Sequence, residues 1–252
     1  MFMRMLQIKI NPVYREPFRN FFQYTVIPEV KQLEGVIFIG LINSSVRPDE
    51  FISLSFWNSG ENAEQCEKSG TFAKLMKKFK PYLAESTEWK IQLSEQLELE
   101  YKPVTEEPVL KEYSVLINKN EKKRIENYTS RMYVRIVSPK IQKEKLEEFK
   151  NIYSEKIIPA LNNIPGCLYA FLIGNMSEDN DVMSVTIWDS REDAENYEKN
   201  GKFEDLTQLV EHTFSSFYQW KMALEKDFRG DMKTSEDIQV SHYSVVSGKN
   251  IR

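Results

Sequence analysis

Two stretches of the chain share one pattern: SFWNSGENAEQCEKSGTF at residues 55–72 and TIWDSREDAENYEKNGKF at residues 186–203. Each contains a tryptophan, a serine two residues later and an alanine four residues after that serine. The offset of 131 residues that separates Trp57 from Trp188 also links Pro28 to Pro159. Self-similarity at one long spacing is the signature of an internal repeat, so the sequence predicts a duplicated module.

The offset between the two copies changes toward their ends. Before the first helix it falls to 127 residues, which aligns Pro12 with Pro139, and it becomes 130 where YSV recurs at 113–115 and 243–245. Small insertions explain such changes, because loops tolerate added residues. We therefore predict two domains at residues 1–120 and 128–252, each a repeat with a trailing strand.

Hydrophobic periodicity predicts the order β-α-β-β-α-β in each copy. Alternation at Leu6, Ile8 and Ile10 indicates a half-buried first strand, followed by an amphipathic helix that Pro28 or its counterpart should kink or break. Glycines 70 and 201 should interrupt the second helix. The predicted middle strands, at residues 35–42 and 166–173, are continuously apolar. The predicted fourth strands are EWKIQL at 88–93 and QWKMAL at 219–224.

Two helices cover only one face of such a sheet, so apolar strands need a second layer on the other face. The sheet of the other copy is the simplest cover, and fusion raises the effective concentration of that pairing. We therefore predict an α+β fold in which tandem ferredoxin-like repeats form an intramolecular dimeric α+β barrel. Each trailing strand is a candidate to cross to the partner sheet.

The composition excludes several classes of protein. The net charge of −4 indicates no basic face for nucleic acid, and no window approaches the ~18 apolar residues of a membrane span. The two cysteines lie far apart without a CxxC motif, which favours a reducing, cytoplasmic compartment and no structural metal. A small-molecule ligand is the expected partner, and a homodimer of the fused pair stays open.

The W-x-S-x-x-x-A motif and the glycine that ends each first helix resemble the antibiotic biosynthesis monooxygenase (ABM) domain of the dimeric α+β barrel superfamily. The resemblance covers residues 10–93 and 137–224. It implies the fold more directly than the reaction, because one fold hosts many chemistries. Relatives include cofactor-independent oxygenases of phenolic or quinol substrates, heme-degrading enzymes and members with no known activity.

The heme-degrading relatives use an Asn on the first strand, a Trp on the second helix and a His beyond it. In this sequence Cys66 and Tyr197 stand at the Trp position, and Met76 and Thr207 at the His position. Neither copy matches at the Asn position either, where Ile8 or Arg135 falls. Heme degradation of that type is therefore disfavoured, and no cofactor is expected.

A cofactor-independent oxygenase needs a dry cavity that holds an aromatic substrate and stabilises its negative charge. The resemblance makes three residues of the second copy candidate catalytic groups: Arg135 for an oxyanion, Tyr197 for a proton, and His212 as an acid–base group. Candidate substrate-binding residues are Trp57, Trp188, Asn20 and Asn151. Two alternatives stay open, namely a ligand-binding or stress-related protein without turnover and a heme-binding protein.

Overall fold

The computed structural model describes the backbone of residues 1–93, 99–105, 109–117, 132–175, 181–215 and 238–250. The chain divides into two compact units. The first unit consists of Arg4–Lys111 and Val246–Arg252, and the second of Met1–Met3 and Glu112–Val245. Each unit therefore takes most of one repeat together with a terminal strand segment from the other.

The sheet of the first repeat has three strands: β1 (Phe2–Lys9), β2 (Val36–Ser44) and β3 (Glu50–Trp57). β3 lies between the other two, and it pairs with β2 in antiparallel register. Burial of β2 is nearly continuous, as its apolar run predicted, and β3 is buried to a similar extent. The alternation predicted for β1 is confirmed, because Leu6, Ile8 and Ile10 are buried whereas Gln7 is exposed and Lys9 is partly exposed. The earlier part of the strand, from Phe2 to Met5, is buried throughout.

The second repeat has the same three strands, which are β7 (Tyr133–Pro139), β8 (Cys167–Asn175) and β9 (Val182–Trp188). β9 is central and pairs antiparallel with both neighbours. Two further strands, β6 (Val109–Ile117) and β10 (Ile238–Asn250), extend this sheet by pairing with β8 and β7. The pairing of β6 with β8 confirms that the first trailing strand crosses into the other repeat's sheet. The face-to-face packing of the two sheets stays a prediction.

The predicted fourth strand of the first repeat does not join its sheet. β4 (Glu85–Leu93) pairs with β5 (Leu99–Thr105) as a separate two-stranded sheet. An isolated bridge between Ile10 and Leu83 links the residue after β1 to the residues just before β4. β4 thus pairs with the next strand along the chain instead of with the sheet of its own repeat. The corresponding segment at 219–224 lies outside the described residues.

The helices of the first repeat are α1 (Arg15–Phe21), α2 (Ile27–Lys31), α3 (Gly60–Lys68) and α4 (Thr71–Phe79). Those of the second are α5 (Leu146–Ile152), α6 (Ile158–Asn162), α7 (Arg191–Lys199) and α8 (Lys202–Gln208). The predicted breaks at Gly70 and Gly201 are confirmed, because each glycine adopts a left-handed conformation between two helices.

The interruption predicted at each proline is also confirmed, and it takes the form of a π turn. These turns, Phe22–Val26 and Tyr153–Ile157, lie directly before the short helices that contain Pro28 and Pro159. In the first, the Ile27 N–H donates to the Phe22 carbonyl, five residues back. Proline lacks an N–H and its ring crowds the preceding turn, so a widened turn lets the helix continue past it.

The motif quoted at the outset forms the N-terminus of the second helix in each repeat. Ser59 and Ser190 are the N-caps, and their side chains accept hydrogen bonds from the N–H groups of Asn62 and Asp193. Such caps satisfy donors that the first helical turn leaves unpaired. The preceding tryptophan donates its indole N–H to the hydroxyl two residues earlier. The motif therefore has a structural role in both copies.

The structure keeps the 131-residue offset through the first strand, so the offset of 127 predicted there is wrong. The isolated bridge of Ile10 with Leu83 recurs as Ile141 with Phe214. Likewise the 3₁₀ turn at Pro12–Tyr14 recurs at Lys143–Lys145. Strand register decides which residues of the two repeats are equivalent, because a slip of one residue would turn every side chain to the other face of the sheet. Short matches in the sequence do not determine register.

None of the helices in the described part of the chain has the length and apolarity that a bilayer crossing requires.

Candidate functional site

A cavity of about 50 Å³ lies within the second repeat, between its sheet and its helices. Its walls are mainly apolar, formed by residues such as Phe149, Ile157, Leu161 and Phe203. Six polar side chains also reach it, and they come from β7, β9, the π turn and the second pair of helices: Arg135, Tyr153, Ser184, Thr186, Tyr197 and Thr207. A mostly apolar cavity with a few polar groups is typical of small-molecule sites.

Arg135 on β7 is the charged group of this cavity. Its side chain is only 2% exposed, and its Nε donates to Glu198 Oε1 at 2.5 Å. Its Cζ lies 4.0 Å from the ring centroid of Phe203 and 5.4 Å from that of Tyr197. Nη2 is buried and has no hydrogen-bond partner among the described residues. An unpaired buried donor costs on the order of 1–3 kcal/mol, which a ligand oxygen would recover.

Tyr197 on α7 lies beside this guanidinium and is buried. Its ring centroid is 5.0 Å from that of Trp188 and 6.0 Å from that of Phe203. Burial raises the pKa of the Tyr197 phenol far above its ordinary value, and Arg135 opposes this only in part. The hydroxyl therefore stays protonated at neutral pH, so it can donate a hydrogen bond, although the raised pKa makes it a weak acid.

A second polar pair occurs where the sequence analysis named no candidate. Tyr153 in the π turn is buried, and its hydroxyl lies 2.5 Å from the hydroxyl of Ser184 on β9. Burial raises the pKa of Tyr153 strongly, while the hydrogen bond to Ser184 opposes the rise. From the sequence, Tyr153 falls on the apolar face of the predicted first helix of the second copy, together with Phe149, Ile157 and Leu161, and this periodicity predicts a core residue. Its replacement by Phe22 in the first copy was the signal that could have identified it.

The first repeat has an equivalent cavity of about 60 Å³ with different chemistry. Arg4, the counterpart of Arg135, donates from Nη1 to the Ala63 carbonyl at 2.7 Å and from Nη2 to Glu67 Oε1 at 2.9 Å. Cys66 and Met76 line this cavity at the positions of Tyr197 and Thr207. The first cavity is therefore more apolar, and both terminal nitrogens of its arginine already have acceptors.

The structure brings two of the seven sequence candidates together at the second cavity, Arg135 and Tyr197. Trp188 is buried behind Tyr197 and donates to Thr186, and Trp57 lines the first cavity. The other three lie outside both cavities, because they occupy solvent-facing positions of their helical segments: Asn20, Asn151 and His212.

His212 lies in the short 3₁₀ turn Glu211–Thr213, not in the predicted second helix. Its side chain is 48% exposed, and Nε2 lies 2.8 Å from Glu148 Oε1. The acid–base role expected for His212 thus has no support from its position. Among the described residues, no group of three or more His, Cys, Asp or Glu side chains is arranged to hold a metal ion.

Residues 132–208 match the model of a family described as antibiotic biosynthesis monooxygenase. The fold is also similar to three solved structures. One, from Fusobacterium nucleatum subsp. nucleatum, is a protein named as a candidate monooxygenase, with a TM-score of 0.68, 12% identity and coverage of 99% of this chain and 94% of that one. A counterpart from Lactobacillus acidophilus has a TM-score of 0.67, 7% identity and coverage of 99% and 96%.

The third similar structure is an anthrone oxidase-like protein, with a TM-score of 0.57, 14% identity and coverage of 99% of this chain and 92% of that one. At such low identity these likenesses show a shared fold and not a shared activity. No curated protein matches the chain.

Proposed function

We propose that the second repeat, in which residues 132–208 match the antibiotic biosynthesis monooxygenase family model, is a cofactor-independent monooxygenase of a small aromatic, quinol-type compound. The observation that carries this proposal is Nη2 of Arg135, which is buried at an apolar cavity and has no hydrogen-bond acceptor in the part of the chain that the structure describes. Glu198 already pairs with Nε, so what the guanidinium lacks is an acceptor at Nη2. A charge-assisted hydrogen bond from a buried N–H favours a ligand oxygen that is ionised or readily ionised.

Arg135 would act on the acidity of the bound compound. A phenol or enol whose oxygen faces Nη2 loses its proton more easily, since a nearby positive charge lowers the pKa of an acid. The resulting phenolate or enolate is electron-rich and can itself reduce dioxygen. Glu198 already accepts from Nε, so the guanidinium is held in place while Nη2 stays available.

The overall reaction is the conversion of a phenol with a ring C–H, and one O2, into a quinone and water. One oxygen atom becomes the new carbonyl, and the other leaves as water with the two hydrogens from the hydroxyl and the ring carbon. Tyr197 is suited to donate a hydrogen bond to the reduced oxygen, because burial raises the pKa of its phenol and keeps it neutral. The apolar walls exclude water from the electron-rich intermediate.

The proposal includes no metal, flavin or heme. In the second cavity Thr207 stands where heme-degrading relatives would carry the iron ligand, and its hydroxyl donates to the Phe203 carbonyl at 2.8 Å. A threonine hydroxyl committed to the backbone is a poor iron ligand, since heme proteins use His, Cys, Met or Tyr. A hemin titration without a shifted Soret band is the expected result.

Oxygen uptake with a panel of phenols and hydroquinones tests the function. Arg135→Met keeps the aliphatic stem and removes the charge, so the rate should fall about 10- to 150-fold if one charge-assisted hydrogen bond of about 1.5–3 kcal/mol is lost. The matched control is Arg4→Met, which changes the equivalent residue of the other cavity and should keep the rate.

Circular dichroism would establish that both variants are folded. Oxygen uptake that Arg135→Met leaves unchanged would contradict the proposal. If these compounds bind without any oxygen uptake, the protein is instead the ligand-binding alternative. In that case the same cavity holds an acidic aromatic compound without turnover.

A further inference from the structure

We infer that the ligand of the second-repeat cavity carries two oxygen functions, an acidic one at Arg135 and a neutral hydroxyl or carbonyl at the Tyr153–Ser184 pair. Tyr153 would then be a specificity-determining residue. The inference rests on the proposed function, because it assumes that this cavity is the binding site. It goes further by assigning the second oxygen of a quinol-type ring to the Tyr153–Ser184 pair, which makes this pair the basis for discrimination between one and two ring oxygens.

The first argument is the hydrogen-bonding capacity of the pair. Each hydroxyl has one donor hydrogen and two acceptor lone pairs. The contact between Tyr153 and Ser184 uses one hydrogen, so the other is available at the cavity. The surrounding wall is apolar, with Phe149, Ile157 and Leu161 nearby on the helical side. A donor in such surroundings favours a ligand that supplies an acceptor oxygen.

The second argument is that the two polar positions change together between the repeats. In the first repeat Tyr153 is replaced by Phe22, and the terminal nitrogens of Arg4 are bound by Ala63 and Glu67. In the second repeat the hydroxyl and the unpartnered Nη2 occur in the same cavity. Their joint presence in one copy is expected if both contact the same ligand.

The third argument is electrostatic. None of the described residues that line the second cavity is acidic, and Arg135 is its one described charged lining residue. An oxyanion is therefore directed to Arg135. Burial keeps the Tyr153 phenol neutral, so the pair offers hydrogen bonds without charge and suits an uncharged oxygen.

Phenol and hydroquinone are the probes, because they differ by one hydroxyl on the same ring. Their affinities would be measured by ligand-observed NMR under anaerobic conditions, so that turnover does not interfere. One additional hydrogen bond should make hydroquinone bind the wild-type protein about 3- to 10-fold more tightly than phenol. Tyr153→Phe and Ser184→Ala should reduce this ratio toward one while leaving the affinity for phenol within about twofold.

Ser53→Ala is the matched control, since Ser53 lines the first cavity at the position of Ser184, and it should keep the full preference. Equal binding of the two compounds by the wild-type protein, or an undiminished preference in Tyr153→Phe, would overturn the inference and leave the role of Arg135 intact. If neither compound binds and Arg135→Met has no effect on oxygen uptake, the assignment of the cavity fails, and the inference fails with it.

Discussion

Replacement of Gly166 by alanine tests how the repeated motif holds each module together. Gly166 has φ +78, and a Cβ there would lie 2.3 Å from Cγ and 2.5 Å from Cβ of Asp193. The side chain of Asp193 cannot simply swing away, because Ser190 Oγ donates to its Oδ2 at 2.6 Å within the cap of α7. The left-handed backbone costs about 1–2 kcal/mol for alanine, and loss of the cap costs about 1 kcal/mol more.

The matched control is Gly201→Ala in the same repeat. Gly201 has φ +75, but nothing lies within 4 Å of its added Cβ, so only the backbone strain applies. Gly166→Ala should therefore lower the free energy of unfolding by about 2–3 kcal/mol, and Gly201→Ala by about 1–2 kcal/mol. Urea unfolding followed by circular dichroism measures both values.

Gly35 and Gly70 of the first repeat allow the same comparison to be made independently. Gly35 has φ +80 and faces Asn62, with the added Cβ 2.3 Å from its Cγ, whereas Gly70 has open space. The same order of losses is expected for Gly35→Ala and Gly70→Ala. If the two glycines of a repeat prove equally costly to replace, the steric part of the reasoning is refuted and only backbone strain acts.

Two further predictions concern buried ionisable groups. Because burial raises the pKa of Tyr153 and Tyr197, the unfolded chain releases protons that the folded chain retains above the ordinary tyrosine pKa of about 10. The free energy of unfolding should therefore fall as pH rises past 10. It should fall less steeply in Tyr197→Phe, and an equal slope in that variant would show that Tyr197 does not contribute to the pH dependence of stability. Burial also raises the pKa of the Cys66 thiol, so a disulfide reagent should modify Cys66 far more slowly in the native protein than in urea, and equal rates would contradict the buried position.

The two repeats have diverged at a small number of cavity positions while keeping one framework. The caps at Ser59 and Ser190 and the π turns before the prolines are the same in both. The aromatic hydroxyls of Tyr153 and Tyr197 occur only in the second, where Phe22 and Cys66 stand in the first. The cavity chemistry of one copy can change while its core stays intact, because packing and helix capping depend on residues other than those that line the cavity.

Much of the fold could be predicted from residue patterns. Continuous apolar runs indicated the buried middle strands, Pro28 and Pro159 marked the helix interruption, and the spacing of Trp57 and Trp188 indicated duplication. The placement of β4 could not be predicted, because its alternation is compatible with pairing either to the sheet or to the next strand. The offset of the first strand was also missed, since short sequence matches do not determine register.

The sequence by itself determined that this chain contains two copies of one α+β module and that Arg135 and Tyr197 occur in the same copy. Only the tertiary structure decided that they share a cavity with Tyr153 and that His212 does not. The availability of Nη2 on Arg135 is likewise a property of the fold, because Arg4 occupies the equivalent position with its terminal nitrogens bound. Residue type specifies which hydrogen bonds a side chain can make, but only the neighbours that the fold supplies determine which of them it does make.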